Sequence, residues 1–404
     1  MAAPLLTRLY TPEDFGVLAV YASLLSLITV VASLRYELAI PLPADDRTAA
    51  SLLVLSFIIM LGVSCALGLT VHLLPDEVYT WNTTSPLVPY VWLIPLGTIA
   101  VGTYKVLNYW TIRKRAFELI ARTRLAQGIG NTSIQVAMGV AQLGPIGLLV
   151  GQLVGQTAGI TTLGRLLWRR DRDAIDSVTF CSISSAAKSY SRFPLYSTIS
   201  GFLNTAGLQA PALILAATYG PQVAGWYALG QRVLGIPFNL LGASVAQVYL
   251  GEISKLAISN RSALHSLFTR TALRLLLIGS IPVIALTLGG PWLFEQIFGK
   301  DWNQAGLYLQ LLALSLMARF VVSPLSDTLN VLERQDLQLV WDAFRLLITF
   351  GTLIAAYMLD LPSAYAVGSY GAGMLIAYFT LYCILWNVVR ATRNSESTQA
   401  IVPK

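Results

Sequence analysis

This sequence has little charge: Asp, Glu, Lys and Arg together make up 12% of its 404 residues. A soluble chain of that size carries about a quarter charged residues, because its surface faces water. With 55% hydrophobic residues and a mean hydropathy of +0.64, too little polar surface remains to cover a soluble globule. The chain therefore reads as an integral membrane protein. Cysteine and histidine are also scarce. Cys65, Cys181 and Cys383 stand alone, match no metal or redox spacing and read as packing residues. His72 and His265 lie too far apart in sequence for a histidine-rich metal site. No phosphate-binding G-x-x-x-x-G-K-[ST] loop occurs, so ATP is excluded as the direct energy source. No span pairs acidic metal ligands, and no cofactor is expected. A basic leader with a short apolar core and a cleavage site is missing as well. No extramembrane loop is long enough for a large catalytic loop, which argues against a membrane polymerase or glycosyltransferase of that kind.

Basic residues outnumber acidic ones, for a formal charge of +7. They sit in short clusters between apolar runs, where membrane topology wants them, so no nucleic-acid partner is expected. A transmembrane helix needs about 20 apolar residues. Ser51 to Pro75 and Val78 to Tyr104 contain no Asp, Glu, Lys or Arg, with Trp81 to Pro89 reading as a polar loop. Leu125 to Gly164 is uncharged too, but at about 1.5 Å per residue it is twice a bilayer long. Gly144-Pro145 divides it, as Gly220-Pro221 divides the run from Phe193 to Gln231. The method gives about eleven full spans, starting near Phe15, Ala49, Leu87, Phe117, Ile146, Pro194, Val223, Ser266, Ala305, Leu337 and Ala364. Met1–Leu9 is too short to span and reads as the tail of a truncated first helix.

Orientation follows from the asymmetry of Lys and Arg between alternate loops. One set holds Arg35, Arg47, Arg113-Lys114-Arg115, Arg169-Arg170-Asp171-Arg172, Lys188, Arg192, Lys255, Arg261, Arg334, Arg390 and Arg393. The other holds little beyond Arg8 and Lys300, among Glu13, Asp14, Asp76, Glu77, Glu295, Asp301 and Asp360. The first set is expected to be cytoplasmic, which also puts the C-terminus inside.

The two halves share a signature. Pro12, Gly16 and Ala19 match Pro221, Gly225 and Ala228 at one offset: 221 − 12, 225 − 16 and 228 − 19 all equal 209. Six helices separate the copies, so both halves face the same way. That is a parallel repeat about an axis along the membrane normal, a transporter architecture. The expected organisation is an all-α fold of two pseudo-symmetric six-helix lobes: residues 1–172, a cytoplasmic linker 173–190, and residues 191–404.

Ionisable groups at membrane depth face a protein interior or a watery cavity. Arg124, Gln127, Asn131, Gln135 and Gln142 fall on one face of the fourth full span. That stripe either lines a cavity or bonds neighbouring helices. In the ninth span Ser315, Arg319, Ser323 and Asp327 follow each other every four residues. Arg232 in the seventh span is followed by Asn239. Asp342 and Arg345, three apart in the tenth, are placed to pair. Arg232 and Arg319 have no acidic partner at close helical spacing, and a guanidinium fork suits phosphate or carboxylate. The candidate anion site is therefore Arg232, Arg319, Arg345 and Arg124, with Gln127, Asn131, Gln135, Asn239, Ser315 and Ser323 as polar lining. Glu37, Asp327 and Asp342 are candidates for ion coupling if desolvated. Gly147, Gly151, Gly155 and Gly159 form a small-residue ridge for close helix packing.

The stretches Leu9-Tyr10-Thr11-Pro12-Glu13-Asp14-Phe15-Gly16 and Leu34-Arg35-Tyr36-Glu37-Leu38-Ala39-Ile40-Pro41-Leu42-Pro43 resemble the opening of the Wzx-type polysaccharide (O-antigen) flippases. These belong to the multidrug/oligosaccharidyl-lipid/polysaccharide (MOP) exporter superfamily. Gly225 to Leu234, with Pro237, resembles the start of that family's second lobe. The resemblance implies translocation of an undecaprenyl-diphosphate-linked oligosaccharide from the cytoplasmic to the periplasmic leaflet of a bacterial inner membrane. Its implied partners are that lipid, the surrounding membrane lipids and a polysaccharide polymerase or export machinery. The alternatives are a cation-coupled multidrug exporter of the same superfamily, which should favour acidic and aromatic cavity residues, and a membrane glycan polymerase, which should keep acid/base residues in an outer loop.

Overall fold

The computed structural model describes residues 2–73, 87–259, 263–332 and 334–399, and all regular structure among them is helical. In chain order the helices are α1 Ala3–Leu9, α2 Pro12–Val31, α3 Asp46–Leu73, α4 Leu93–Arg113, α5 Phe117–Val140, α6 Pro145–Thr157, α7 Ile160–Arg170, α8 Arg172–Asp176 and α9 Phe180–Ser189. They continue with α10 Thr198–Tyr219, α11 Pro221–Gly230, α12 Ile236–Ser259, α13 Leu264–Phe298, α14 Asn303–Val322, α15 Asp327–Val331, α16 Gln335–Met358 and α17 Ser363–Gln399. Asp76, Glu77, Arg261 and the polar loop from Trp81 through residue 86 lie outside the described residues.

Each expected span has its helix, with some built from two consecutive ones. Among the described residues, nine helical stretches are long and apolar enough to cross a membrane. The helices α4 and α5 fall short of that measure because Lys105 and the amide stripe dilute their apolar character. The two Gly-Pro breaks hold: Gly144 (φ 64°) and Gly220 (φ 90°) take backbone angles that L side chains resist, and Pro145 and Pro221 open the next helices. At the start of α2, Thr11 and Asp14 form a reciprocal capping box, and Glu13 and Asp14 complement the helix dipole. Two π turns were not legible in the sequence, Phe193–Ser197 before α10 and Gln231–Gly235 between α11 and α12. Pro237, which has no N–H to return to residue 233, is compatible with the looser register of the second.

The chain divides into two compact units, Met1–Gly225 and Trp226–Lys404. This boundary falls inside α11, at the second copy of the repeated signature. Within the first unit the two repeat signatures meet. An alanine methyl at Gly16 would lie 1.7 Å from the Pro221 carbonyl oxygen, and one at Gly225 would lie 1.8 Å from that of Pro12. The contact is reciprocal, each glycine seated on the other copy's proline carbonyl, as two-fold-related helix starts would make it. Backbones that approach this closely need glycine on both sides.

At the end of the first unit expected to be cytoplasmic, a charged clamp ties α3, α4 and the α7–α8 junction. Lys114 reaches Asp46 and Asp171, both at 2.8 Å, Arg113 bonds Asp46 at 2.9 Å, and the Trp110 indole donates to Asp171 at 3.0 Å. Burial on its own would lower the Lys114 amine, but the Asp171 and Asp46 carboxylates outweigh it and hold the pKa above the usual lysine value. The lysine is thus charged throughout the neutral range, and its share of stability is lost only as pH rises through that raised value. Asp171→Ala leaves the buried indole N–H and part of the lysine charge without a partner. It should lower stability by about 1–2 kcal/mol in thermal unfolding of the purified chain. An unchanged midpoint would show that the clamp is decorative.

The second unit is built around α14, which packs on α13 and α17. Gly290 and Gly306 let α13 and α14 approach, since a methyl at Gly306 would lie 2.4 Å from the Gly290 carbonyl oxygen. Phe268, Tyr382, Trp386 and His265 form an aromatic cluster at the start of α13.

Candidate functional site

A cavity of about 240 Å³ opens in the second unit between α12 and the end of α14. Gly235, Asn239, Gly242 and Ala246 supply one wall. Their spacings of 4, 3 and 4 put them on a single helix face, and three of the four are too small to fill the space. Arg319, Ser323 and Pro324 supply the other wall. Phe238 stacks on Phe320 with ring centroids 4.4 Å apart, closing one side with apolar surface. Arg319 has no carboxylate partner among the described residues. Two buried tyrosines, Tyr227 and Tyr370, lie within electrostatic reach of its guanidinium, with rings 6.4 Å apart, and Gln231 donates to the Tyr227 hydroxyl at 3.2 Å. The result is a small recess between two stretches long and apolar enough to cross a membrane, with a cation that has no carboxylate partner among the described residues, an amide and a hydroxyl. Such a recess attracts an anion and can donate several hydrogen bonds to it.

Three expected residues therefore converge here: Arg319, Asn239 and Ser323. Ser315 does not join them; it is buried and its hydroxyl bonds the Leu312 carbonyl at 2.8 Å. Asp327 leaves the face expected for it. Pro324 breaks the α-helical hydrogen bonding, and the 3-10 turn Ser323–Ser326 shifts the register. The Asp327 carboxylate instead accepts from Asn330 at 3.3 Å. Arg232 sits in the π turn Gln231–Gly235 and is not among the residues lining this cavity. Arg345 and Asp342 pair at 3.2 Å, and the guanidinium lies 4.9 Å from the Trp341 ring centroid, so the cation is already compensated.

In the first unit, the amide stripe of α5 faces the glycine ridge of α6. Gln135 donates to the Leu148 carbonyl at 3.1 Å, Gln127 to that of Gln156 at 3.3 Å, and Asn131 reaches the Gln152 side chain at 3.5 Å. A methyl at Gly151 or Gly155 would strike Gln135 or Asn131. Of the two roles open to the stripe, the contacts favour holding helices together over lining a cavity, because the amide N–H groups of Gln127, Asn131 and Gln135 all donate to α6. Arg124 is exposed, and Gln142 lies beyond the helix end with φ 54°. Gln135→Ala should lower thermal stability by about 1–2 kcal/mol and leave transport by the surviving protein intact. Loss of transport at unchanged stability would return the stripe to a cavity role.

Glu37 is buried and accepts from the Ser33 hydroxyl at 2.5 Å. Its surroundings include Lys105, which the pattern of apolar runs does not single out. That amine bonds the Thr29 hydroxyl at 3.1 Å and lies within electrostatic reach of Glu37 and Arg35. The signal is present in the sequence: a single lysine midway along an apolar helix. It is masked because the charge-free run stops one residue earlier, at Tyr104.

Residues 5–306 match the family described as "Polysaccharide biosynthesis protein". No curated protein sequence matches the chain. Among solved structures, the inward-facing conformation of a multidrug resistance MATE family transporter of the MOP superfamily is similar at 13% identity and TM-score 0.70, over 98% of this chain and 96% of that one. The lipid II flippase MurJ in its inward closed conformation is similar at 12% identity and TM-score 0.66, over 97% and 87%. The Vibrio cholerae MATE transporter VcmN in the bent form gives 14% identity and TM-score 0.52, over 94% and 87%. The chain belongs to the polysaccharide biosynthesis protein family, as a multi-pass membrane protein with the helical fold of these transporters.

Proposed function

We propose that the chain is a flippase. Its cargo is an undecaprenyl-diphosphate-linked oligosaccharide, carried from the cytoplasmic to the periplasmic leaflet of a bacterial inner membrane, with the C-terminus cytoplasmic. The observation that carries this reading is Arg319, an arginine with no carboxylate partner among the described residues, in a recess that also offers Asn239 and Ser323. A charge at the bilayer centre costs about 3 kcal/mol or more, so such an arginine is kept for a reason. A lipid diphosphate brings the opposite problem, two or more negative charges that must cross the same region. Arg319 offsets that cost where it is greatest, and the recess is sized for the phosphates rather than for the glycan. Membership of a polysaccharide biosynthesis family supports a sugar-bearing lipid, and the fold supports alternating access. The delivered lipid would then be a substrate for a polysaccharide polymerase on the outer side.

The test is gene deletion and complementation, counting surface polysaccharide and lipid-linked intermediates. Loss of surface glycan with intermediates held on the cytoplasmic side, restored by the gene, is the expected result. Unchanged glycan with altered drug sensitivity would replace this reading by the multidrug exporter.

A further inference from the structure

A second cavity, of about 500 Å³ and open to the outside, lies in the first unit between the first turn of α3 and the helix α9. Its lining is Arg47 and Thr48 from α3, with Ser182, Ser185, Ala186 and Ser189 from α9 and Tyr190 just beyond. The three serines, at spacings of 3 and 4, share one helix face with Ala186, which is buried against the core. The walls are held in place: Ser51 donates to Ser182 at 2.9 Å, and Tyr36 donates to the Ala187 carbonyl at 3.1 Å.

The recess has a charge that nothing in it balances. None of the lining residues is acidic. The two carboxylates next to Arg47 in sequence are engaged elsewhere: Asp45 accepts from the Thr48 backbone N–H at 2.7 Å, and Asp46 is bridged to Arg113 and Lys114. Arg47 makes no ion pair among the described residues. Ser182 is spent on Ser51 and the Thr179 backbone, but the hydroxyls of Ser185 and Ser189 make no hydrogen bond among the described residues. A guanidinium fork with two free hydroxyls is the donor set that suits a phosphate oxygen cluster.

The surroundings say where such a phosphate would come from. This end of the unit carries Arg169, Arg170, Arg172, Lys188 and Arg192, the cluster that marks the cytoplasmic face. Two large aromatic residues of the same segment lie open: Phe180 is 86% exposed and Trp168 60%, with Arg172 5.0 Å from the Trp168 ring. Exposed aromatic rings beside basic residues are the signature of a segment lying at the lipid headgroup level. We propose that the α3–α9 cavity binds the phosphate of a lipid headgroup in the cytoplasmic leaflet, through Arg47, Ser185 and Ser189. The site is lined by residues of the first unit alone and does not rest on the cargo assigned above.

The test uses the purified full chain in a neutral detergent, titrated with phosphatidylglycerol or phosphatidylcholine and read by native mass spectrometry. Wild type should retain phosphatidylglycerol in preference to phosphatidylcholine. Arg47→Ala should cut that retention about tenfold, the worth of one charge-assisted phosphate contact. Ser185→Leu, which fills the cavity without touching the charge, should do the same, and covers the case in which Arg47→Ala fails to fold. Arg172→Ala, which removes a basic residue outside the cavity, should have little effect. Displacement of phosphatidylglycerol by undecaprenyl phosphate, dependent on Arg47, would support the site and name the polyprenyl lipid as its source. Displacement by millimolar inorganic phosphate would support the phosphate chemistry but overturn the lipid source. Equal retention of phosphatidylglycerol by wild type, Arg47→Ala and Ser185→Leu would overturn the proposal.

Discussion

Gly16→Ala is expected to abolish glycan export and to lower the stability of the chain by about 3 kcal/mol, at the upper end of the overpacking range. The reason is the partner it would strike. The new methyl would sit 1.7 Å from the backbone carbonyl oxygen of Pro221. A side chain can rotate away from such a clash, but a helix carbonyl cannot, so α2 and α11 must part. Parting them disturbs the packing of the start of α2, where Phe15, Val17 and Leu18 are buried. Gly225→Ala should behave alike, because its methyl would lie 1.8 Å from the Pro12 carbonyl oxygen. Gly62 is the control, since nothing beyond its own helix lies within 4 Å of the position its methyl would take. Gly62→Ala should be neutral or stabilise by about 0.5–1 kcal/mol, through the entropy of the unfolded chain alone. Thermal unfolding in detergent, read beside complementation of export, separates the three. A Gly16→Ala protein as stable and active as Gly62→Ala would show that the α2–α11 crossing does not hold this fold together.

Arg319→Ala is expected to reduce export about tenfold or more at equal expression, with lipid-linked intermediates accumulating. Arg319→Lys should fall between, keeping the charge that offsets a diphosphate but losing the planar fork that holds two of its oxygens. Asn239→Ala and Ser323→Ala remove single neutral hydrogen bonds and should cost a few-fold each. Arg345→Ala should matter less for transport than Arg319→Ala, because that guanidinium is engaged by Asp342 and Trp341. If Arg232→Ala and Arg319→Ala both preserve full export, no anion is being held in the second unit and the flippase reading loses its physical basis.

The comparison between Arg319 and Arg345 shows how far spacing can carry a site. Both are unusual in the sequence for the same reason, an arginine inside an apolar run. Residue separation correctly puts Asp342 within reach of Arg345. It also puts Ser315, Arg319, Ser323 and Asp327 on one face, and there it fails after Ser323, because Pro324 converts the next turn to a 3-10 helix and rotates Asp327 away. The amide stripe of α5 shows the opposite limit. Its residues lie together as the periodicity requires, yet what they face is decided by α6, whose glycines bring backbone carbonyls within hydrogen-bonding distance.

The sequence by itself determined that this chain spans a membrane many times. It determined where the helices break, at Gly144-Pro145 and Gly220-Pro221, and which end of each helix carries the basic residues. These are local properties, set by hydropathy over one helix length and by the backbone angles that glycine and proline allow. Only the tertiary structure decided that Pro12 and Gly225, more than two hundred positions apart, sit on each other, and that Asn239 joins Arg319 while Ser315 does not. It also showed that Lys105 and Glu37 share a buried neighbourhood. Those relations depend on how far one helix can approach another and at what rotation. Such quantities come from pairs of helices packing together, and no single stretch of residues encodes them.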